Sequence, residues 1–100
     1  MRILLTGKRG QVGFELQRAL APLGEVHAVD YAECDLADAT AISTLVRSVR
    51  PDLIVNPAAY TAVDKAESEP GLAHAINAVA PGVLGTEAEK LGAWVVHYST

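Results

Sequence analysis

The chain has 100 residues, half of them hydrophobic and a fifth charged, with a net charge of −4, which fits one globular domain. That balance, with no Lys/Arg cluster, gives no electrostatic footprint for nucleic acid. No apolar run approaches the ~20 residues that span a bilayer, and Met1-Arg2-Ile3-Leu4-Leu5 is too short for a secretion signal. The single cysteine, Cys34, cannot close an internal disulfide, so a soluble cytoplasmic domain is expected.

In chain order, Ile3-Leu4-Leu5 reads as a parallel strand covered on both faces. From Gly10 to Leu23 a helical stripe runs through Val12, Leu16, Ala19, Leu20 and Leu23, and Gly24 ends it. Glu25 to Val29 follows as a second strand. Asp38 suits a helix cap ahead of Ile42, Leu45, Val46 and Val49, spaced i, i+3, i+4, i+7. Arg50-Pro51 stops that helix, and Leu53-Ile54-Val55 is a third strand. Gly71 to Leu91 predicts a long helix bent at Pro81, which lacks an amide donor. Gly92 closes it, and Trp94 to Tyr98 is a fourth strand.

This β-α-β-α-β-α-β string with short loops predicts an α/β fold, a parallel sheet with right-handed crossovers. We read it as a Rossmann-type doubly wound sheet of about four strands, order 3-2-1-4. Gly7, Asp30, Asn56 and Ser99 then all leave strands at one edge, where open α/β sheets bind ligands.

The loop Thr6-Gly7-Lys8-Arg9-Gly10-Gln11-Val12-Gly13 joins a strand to a helix, the context in which spaced glycines carry meaning. Gly7 permits the tight turn, Gly10 lets backbone approach a diphosphate, and Gly13 lets helix and sheet pack closely. Unpaired amides at Gly10, Gln11 and Val12 would face the anion. Asp30, ending the second strand, sits where a carboxylate accepts from adenosine ribose hydroxyls, or else caps a turn. Its charge favours NADH over NADPH, whereas Lys8 and Arg9 could reach a 2′-phosphate, so both cofactors stay open. Asp35 could accept from an adenine amino group with Leu36 against the ring; on residue preferences alone, Asp35 and Asp38 are turn and cap residues.

Asn56-Pro57-Ala58-Ala59-Tyr60 leaves the third strand with small side chains that let a flat ligand lie against backbone. Asp64, Lys65, Glu67 and Glu69 read as a solvated helical turn. His27 and His97, within strands, read as structural residues, and no Cys/His spacing supports a metal. Cys34 lacks a neighbouring base in sequence and reads as inert; Trp94 reads as core or sheet edge. Ser99 and Thr100 end the fourth strand, expected beside the first, where a hydroxyl can stabilise charge on a substrate carbonyl oxygen or simply cap the strand.

Three stretches resemble the dTDP-4-dehydrorhamnose reductase family of extended short-chain dehydrogenases/reductases: Ile3 to Gly13, Val55 to Glu67, and Gly92 to Thr100. Val63-Asp64-Lys65-Ala66-Glu67 is the most specific part, because a generic dinucleotide fold has no need of it. The resemblance implies hydride transfer from NADPH or NADH to the C4 ketone of dTDP-4-dehydro-L-rhamnose, giving dTDP-L-rhamnose for bacterial surface polysaccharide. By position, Gly10, Gln11 and Val12 would hold the diphosphate, Asp30 the ribose, Asp35 and Leu36 the adenine, and Ala58, Ala59 and Tyr60 the cofactor further along. Thr100 matches the hydroxyl residue of the catalytic set, which contacts the sugar. The family's Tyr-x-x-x-Lys pair is absent: Tyr31 precedes Asp35, Tyr60 precedes Asp64, and Tyr98 is near the end. Residues 1–100 are therefore expected to be an incomplete NAD(P)-binding domain of a longer enzyme, with a sugar-nucleotide substrate and a homodimer among its partners. A related sugar-nucleotide epimerase or dehydratase, or a non-catalytic cofactor-binding regulatory subunit, are the alternatives.

Overall fold

A computed structural model of the chain describes residues 1–7, 11–30, 34, 37–57 and 79–97. Its elements alternate: β1 (Arg2–Leu5), α1 (Gln11–Leu20) with a 3-10 turn over Ala21–Leu23, β2 (Glu25–Ala28), α2 (Ala39–Val49), β3 (Leu53–Asn56), α3 (Ala80–Leu91) and β4 (Trp94–His97). The strands form one parallel sheet, as the βαβ string predicts.

Its order is β2-β1-β3-β4, which corrects the expected 3-2-1-4. The cause lies in what each strand can bury. Glu25-Val26-His27-Ala28 is exposed at Glu25 and half-buried along the rest, a pattern suited to a sheet edge. Ile54, Val55 and Asn56 are buried, so β3 needs neighbours on both sides and inserts between β1 and β4. Ile3, Leu4 and Leu5 of β1 are fully buried, each worth about 1.5–3 kcal/mol in transfer terms.

Strand alternation sends side chains to two cores. Leu4, Ile54 and Val29 pack with Ile42, Val46 and Val49 of α2 and Ala80, Leu84 and Ala88 of α3. On the opposite face, Ile3, Leu5 and Val55 pack with Leu20 and Leu16 of α1. The first crossover thus lies on one face and the next two on the other, so the winding reverses between β1 and β3.

Local signals account for the helix ends. The Asp38 carboxylate accepts from the Thr40 amide at 3.0 Å and the Ala41 amide at 3.2 Å, a cap worth about 1 kcal/mol. Gly92 closes α3 in the left-handed conformation (φ 69°), its amide reaching the Ala88 and Glu89 carbonyls. At Gly24 a Cβ would overlap the Met1 carbonyl, the same oxygen that accepts from the Glu25 amide at 2.9 Å. Pro81 is the second residue of α3, and Val79 ahead of it already has helical φ and ψ; the expected earlier part of that helix lies outside the described residues. The stripe expected to bury α1 is only partly covered: Leu20 is buried and Leu16 half-buried, while Val12 and Leu23 are exposed. Among the described residues this face carries one helix, too few partners for every apolar side chain.

Candidate functional site

β1 ends at Leu5, and Gly7 turns the chain with φ 66°, a left-handed conformation that costs a side-chain-bearing residue ~1–2 kcal/mol. Helix α1 starts at Gln11, so the amides of Gln11, Val12 and Gly13 have no acceptor within the helix. Gly13 is buried in the first turn of α1, as close helix–sheet packing requires. Together these amides and the positive end of the helix dipole form an anion seat. It stands at the C-terminal edge of β1, beside the crevice where the winding reverses.

Asp30 closes β2 at the same edge and is buried, 6 % exposed. The ladder continues past the strand, with the Val29 amide donating to the Leu5 carbonyl at 2.9 Å, so Asp30 follows a residue held directly against β1. Its carbonyl accepts from the Cys34 amide at 2.9 Å. The cysteine is buried and forms no disulfide. The described part of the expected cofactor set (Gly7, Gln11, Val12, Gly13 and Asp30) therefore meets at one sheet edge. Gly10, Asp35, Leu36, Ala58, Ala59, Tyr60 and Thr100 lie outside the described residues.

The corrected strand order also moves the fourth strand. β4, which leads to Ser99 and Thr100, pairs with β3 and is the second strand from β1, not its neighbour. The residue beside the loop is Asn56, at the end of β3. The Thr6 hydroxyl donates to Asn56 Oδ1 at 2.6 Å, and Asn56 Nδ2 meets His97 Nδ1 at 3.2 Å. Thr6 and Asn56 are 0 % and 2 % exposed. Sequence reasoning missed this row, although all three residues were in view; the signal is a polar residue at the last position of each of three apolar runs. The structural reading of the histidines is borne out: His97 bonds Asn56, and His27 Nε2 lies 3.0 Å from Glu25 Oε1.

Elsewhere, α2 and α3 are clasped by Glu87, buried on α3. Its carboxylate accepts from Arg47 Nη2 at 3.1 Å and Nε at 3.3 Å, and Lys90 Nζ lies 3.7 Å away. The Arg47 hydrogen bonds hold the Glu87 carboxyl below its ordinary value; burial opposes this, and Ser43 and Lys90 assist. A groove beside this clasp runs between α2 and α3, from Ala39 and Val79 at their N-terminal ends to Arg47 and Glu87. Among the described residues no three His, Cys, Asp or Glu side chains gather as metal ligands, and no helix is long and apolar enough to cross a membrane.

A family model described as "RmlD substrate binding domain" matches residues 1–100. The dTDP-4-dehydrorhamnose reductase of Escherichia coli (strain K12) is 56 % identical over 105 residues, covering 100 % of this chain and 35 % of that protein. Among solved structures, the dTDP-4-dehydrorhamnose reductase of Clostridium acetobutylicum superposes with a TM-score of 0.87 at 38 % identity, over 95 % of this chain and 34 % of that one. The enzyme of the same name from Bacillus anthracis, solved in complex with NADP, gives 0.83 at 34 % identity, over 94 % of this chain and 34 % of its own. The chain spans about a third of the length of the relatives it matches.

Proposed function

The chain belongs to the RmlD substrate binding domain family, and from that premise we propose that it is the NAD(P)-binding part of a dTDP-4-dehydrorhamnose reductase. The observation that carries the reading is the left-handed turn at Gly7 between β1 and α1, which aims bare helix amides past the strand end. The residues present fit a dinucleotide: a left-handed glycine precedes the bare amides of α1, and a buried carboxylate, Asp30, follows the neighbouring strand.

In this reading Gly7, Gly10, Gln11, Val12 and Gly13 seat the diphosphate. Asp30 accepts from the adenosine ribose, Asp35 and Leu36 border the adenine, and Ala58, Ala59 and Tyr60 continue the cofactor's path. NADPH or NADH, when bound, supplies the hydride for the C4 ketone of dTDP-4-dehydro-L-rhamnose. The B. anthracis relative was solved in complex with NADP, which supports a phosphorylated cofactor in this reading, and Lys8 and Arg9 are the residues here that could meet a 2′-phosphate. Thr100 contacts the sugar and stabilises charge on the reacting oxygen. In this reading the protein is a cytoplasmic homodimer that supplies dTDP-rhamnose for polysaccharide.

The test is hydride stoichiometry in the full-length protein. One NADPH oxidised per dTDP-4-dehydro-L-rhamnose reduced supports the reductase. Tight cofactor retention without net oxidation would replace it with an epimerase or dehydratase.

A further inference from the structure

The row at the C-terminal edge has a direction. Parallel register places Leu4, Ile54 and Val95 side by side on the α2/α3 face. Two residues further on, the same face carries Thr6, Asn56 and His97. The Thr6 hydroxyl donates to Asn56 Oδ1, and the Asn56 amide nitrogen, a donor only, points at His97 Nδ1. Nδ1 must then accept, so the neutral ring carries its hydrogen on Nε2.

Protonation of His97 puts a hydrogen on Nδ1, against the Asn56 NH2 group. Two responses are open. The Asn56 amide can turn over, so that Oδ1 accepts from the ring and Nδ2 donates to Thr6 Oγ1; the Thr6 hydroxyl hydrogen, fully buried, then loses its acceptor. Otherwise the imidazole, the exposed member of the row, swings away and leaves a buried Asn56 donor unmatched. Each outcome removes a hydrogen bond from a buried group, which is where such losses are most costly.

In sequence, Thr6 precedes the stretch assigned above to the diphosphate (from Gly7), Asn56 stands two residues before the one assigned to the cofactor's further path (Ala58 to Tyr60), and His97 three before Thr100, assigned to the sugar. We propose that His97 is a positioning residue: through Asn56 and Thr6 it ties the C-terminal ends of β1, β3 and β4 together, and its protonation loosens the hold of this edge on the dinucleotide. The proposal rests on the dinucleotide reading of this edge. Among the described residues no charge competes for the ring. β3 presents Asn56 and no charged group there. The near turns of α3, from Val79 to Gly85, carry none, while Glu87, Glu89 and Lys90 lie along the helix toward the opposite edge. Asp30 closes β2, beyond β1.

The experiment uses the full-length protein with 15N-labelled histidine and NADPH as probe, from about pH 8 to about pH 5, where an imidazole changes charge. Expected are an unprotonated Nδ1 in the neutral ring and an NADPH dissociation constant that rises about fivefold or more on acidification, an ordinary size for coupling between sites. His97→Gln, which offers Asn56 an acceptor that cannot be protonated, flattens that profile; titration of the cofactor's own phosphate is common to both proteins and cancels in the comparison. A hydrogen on Nδ1 in the neutral ring, or an unaltered pH profile in His97→Gln, overturns the proposal. Failure to bind NADPH at any pH overturns the dinucleotide reading and the ligand coupling with it, leaving the tautomer to judge the hydrogen-bond row alone.

Discussion

Gly7 is the residue on which the anion seat turns. Its φ of 66° lies where a Cβ crowds the following carbonyl, at a cost of ~1–2 kcal/mol. A Gly7→Val variant can relieve that strain only by moving the loop, which redirects the first amides of α1. It should lose about 1 kcal/mol of stability or more and bind NADPH at least tenfold more weakly, read from urea unfolding and a fluorescence titration on the same preparation. Wild-type affinity in a destabilised variant would separate the turn from the ligand site. The glycine's role was legible because a strand, a glycine loop and a helix follow one another in sequence, and each job is local. The Thr6–Asn56–His97 row was not legible in that way. It depends on three strands lying at one register, and a one-residue slip would send any of them to the other face.

At the scale of elements, α2 and α3 meet across the Arg47–Glu87 pair, and its pH behaviour has a definite sign. Glu87 has a lowered pKa, chiefly through the Arg47 hydrogen bonds, so the folded state holds its proton less tightly than the unfolded chain. The pair's contribution is therefore full at neutral pH. It begins to disappear as pH falls through the ordinary carboxyl range and is gone below the lowered value. Glu87→Gln should lower the urea midpoint at pH 7 and reduce the further loss on acidification; parallel pH profiles in the two proteins would assign the acid sensitivity to other carboxylates. A buried glutamate in an apolar stripe gives little warning in sequence, because its partner stands on another helix. The sheet order was half legible. The four strands and three α-helices described follow from periodicity and caps, with Asp38 and Gly92 marking helix ends where the structure has them, while the 3-10 turn over Ala21–Leu23 stands where the first helix is expected to continue. The placing of β3 beside β1 needed a comparison between strands: Glu25 and His27 can tolerate an edge, and Leu53-Ile54-Val55 cannot. Reading each strand by itself hides that contrast.

For the molecule as a whole, the two sheet faces are unequally covered. Two helices pack on the Leu4–Ile54–Val95 face, and α3 reaches as far as Val95. On the opposite face α1 covers Ile3, Leu5 and Val55, but Trp94 and Val96 of β4 remain 78 % and 45 % exposed. They stand beside Leu53 and Val55 in the register, so the bare surface is continuous with the core. Removing a tryptophan side chain from water buries about 200 Å², on the order of 5 kcal/mol in transfer terms at ~25 cal/mol per Å². Association costs about 4–15 kcal/mol in lost freedom, so this patch by itself supports only weak, concentration-dependent contacts. β4 adds an open row of backbone donors and acceptors beyond β3, the kind of edge that recruits a second strand. Residues 1–100 expressed alone should therefore show a sedimentation mass that climbs with protein concentration. The double variant Trp94→Lys with Val96→Lys should hold a monomer mass while keeping its helical circular dichroism, since neither side chain contributes to a buried core. A wild-type fragment that stays monomeric to the highest attainable concentration would show that the bare face and the open strand do not attract one another.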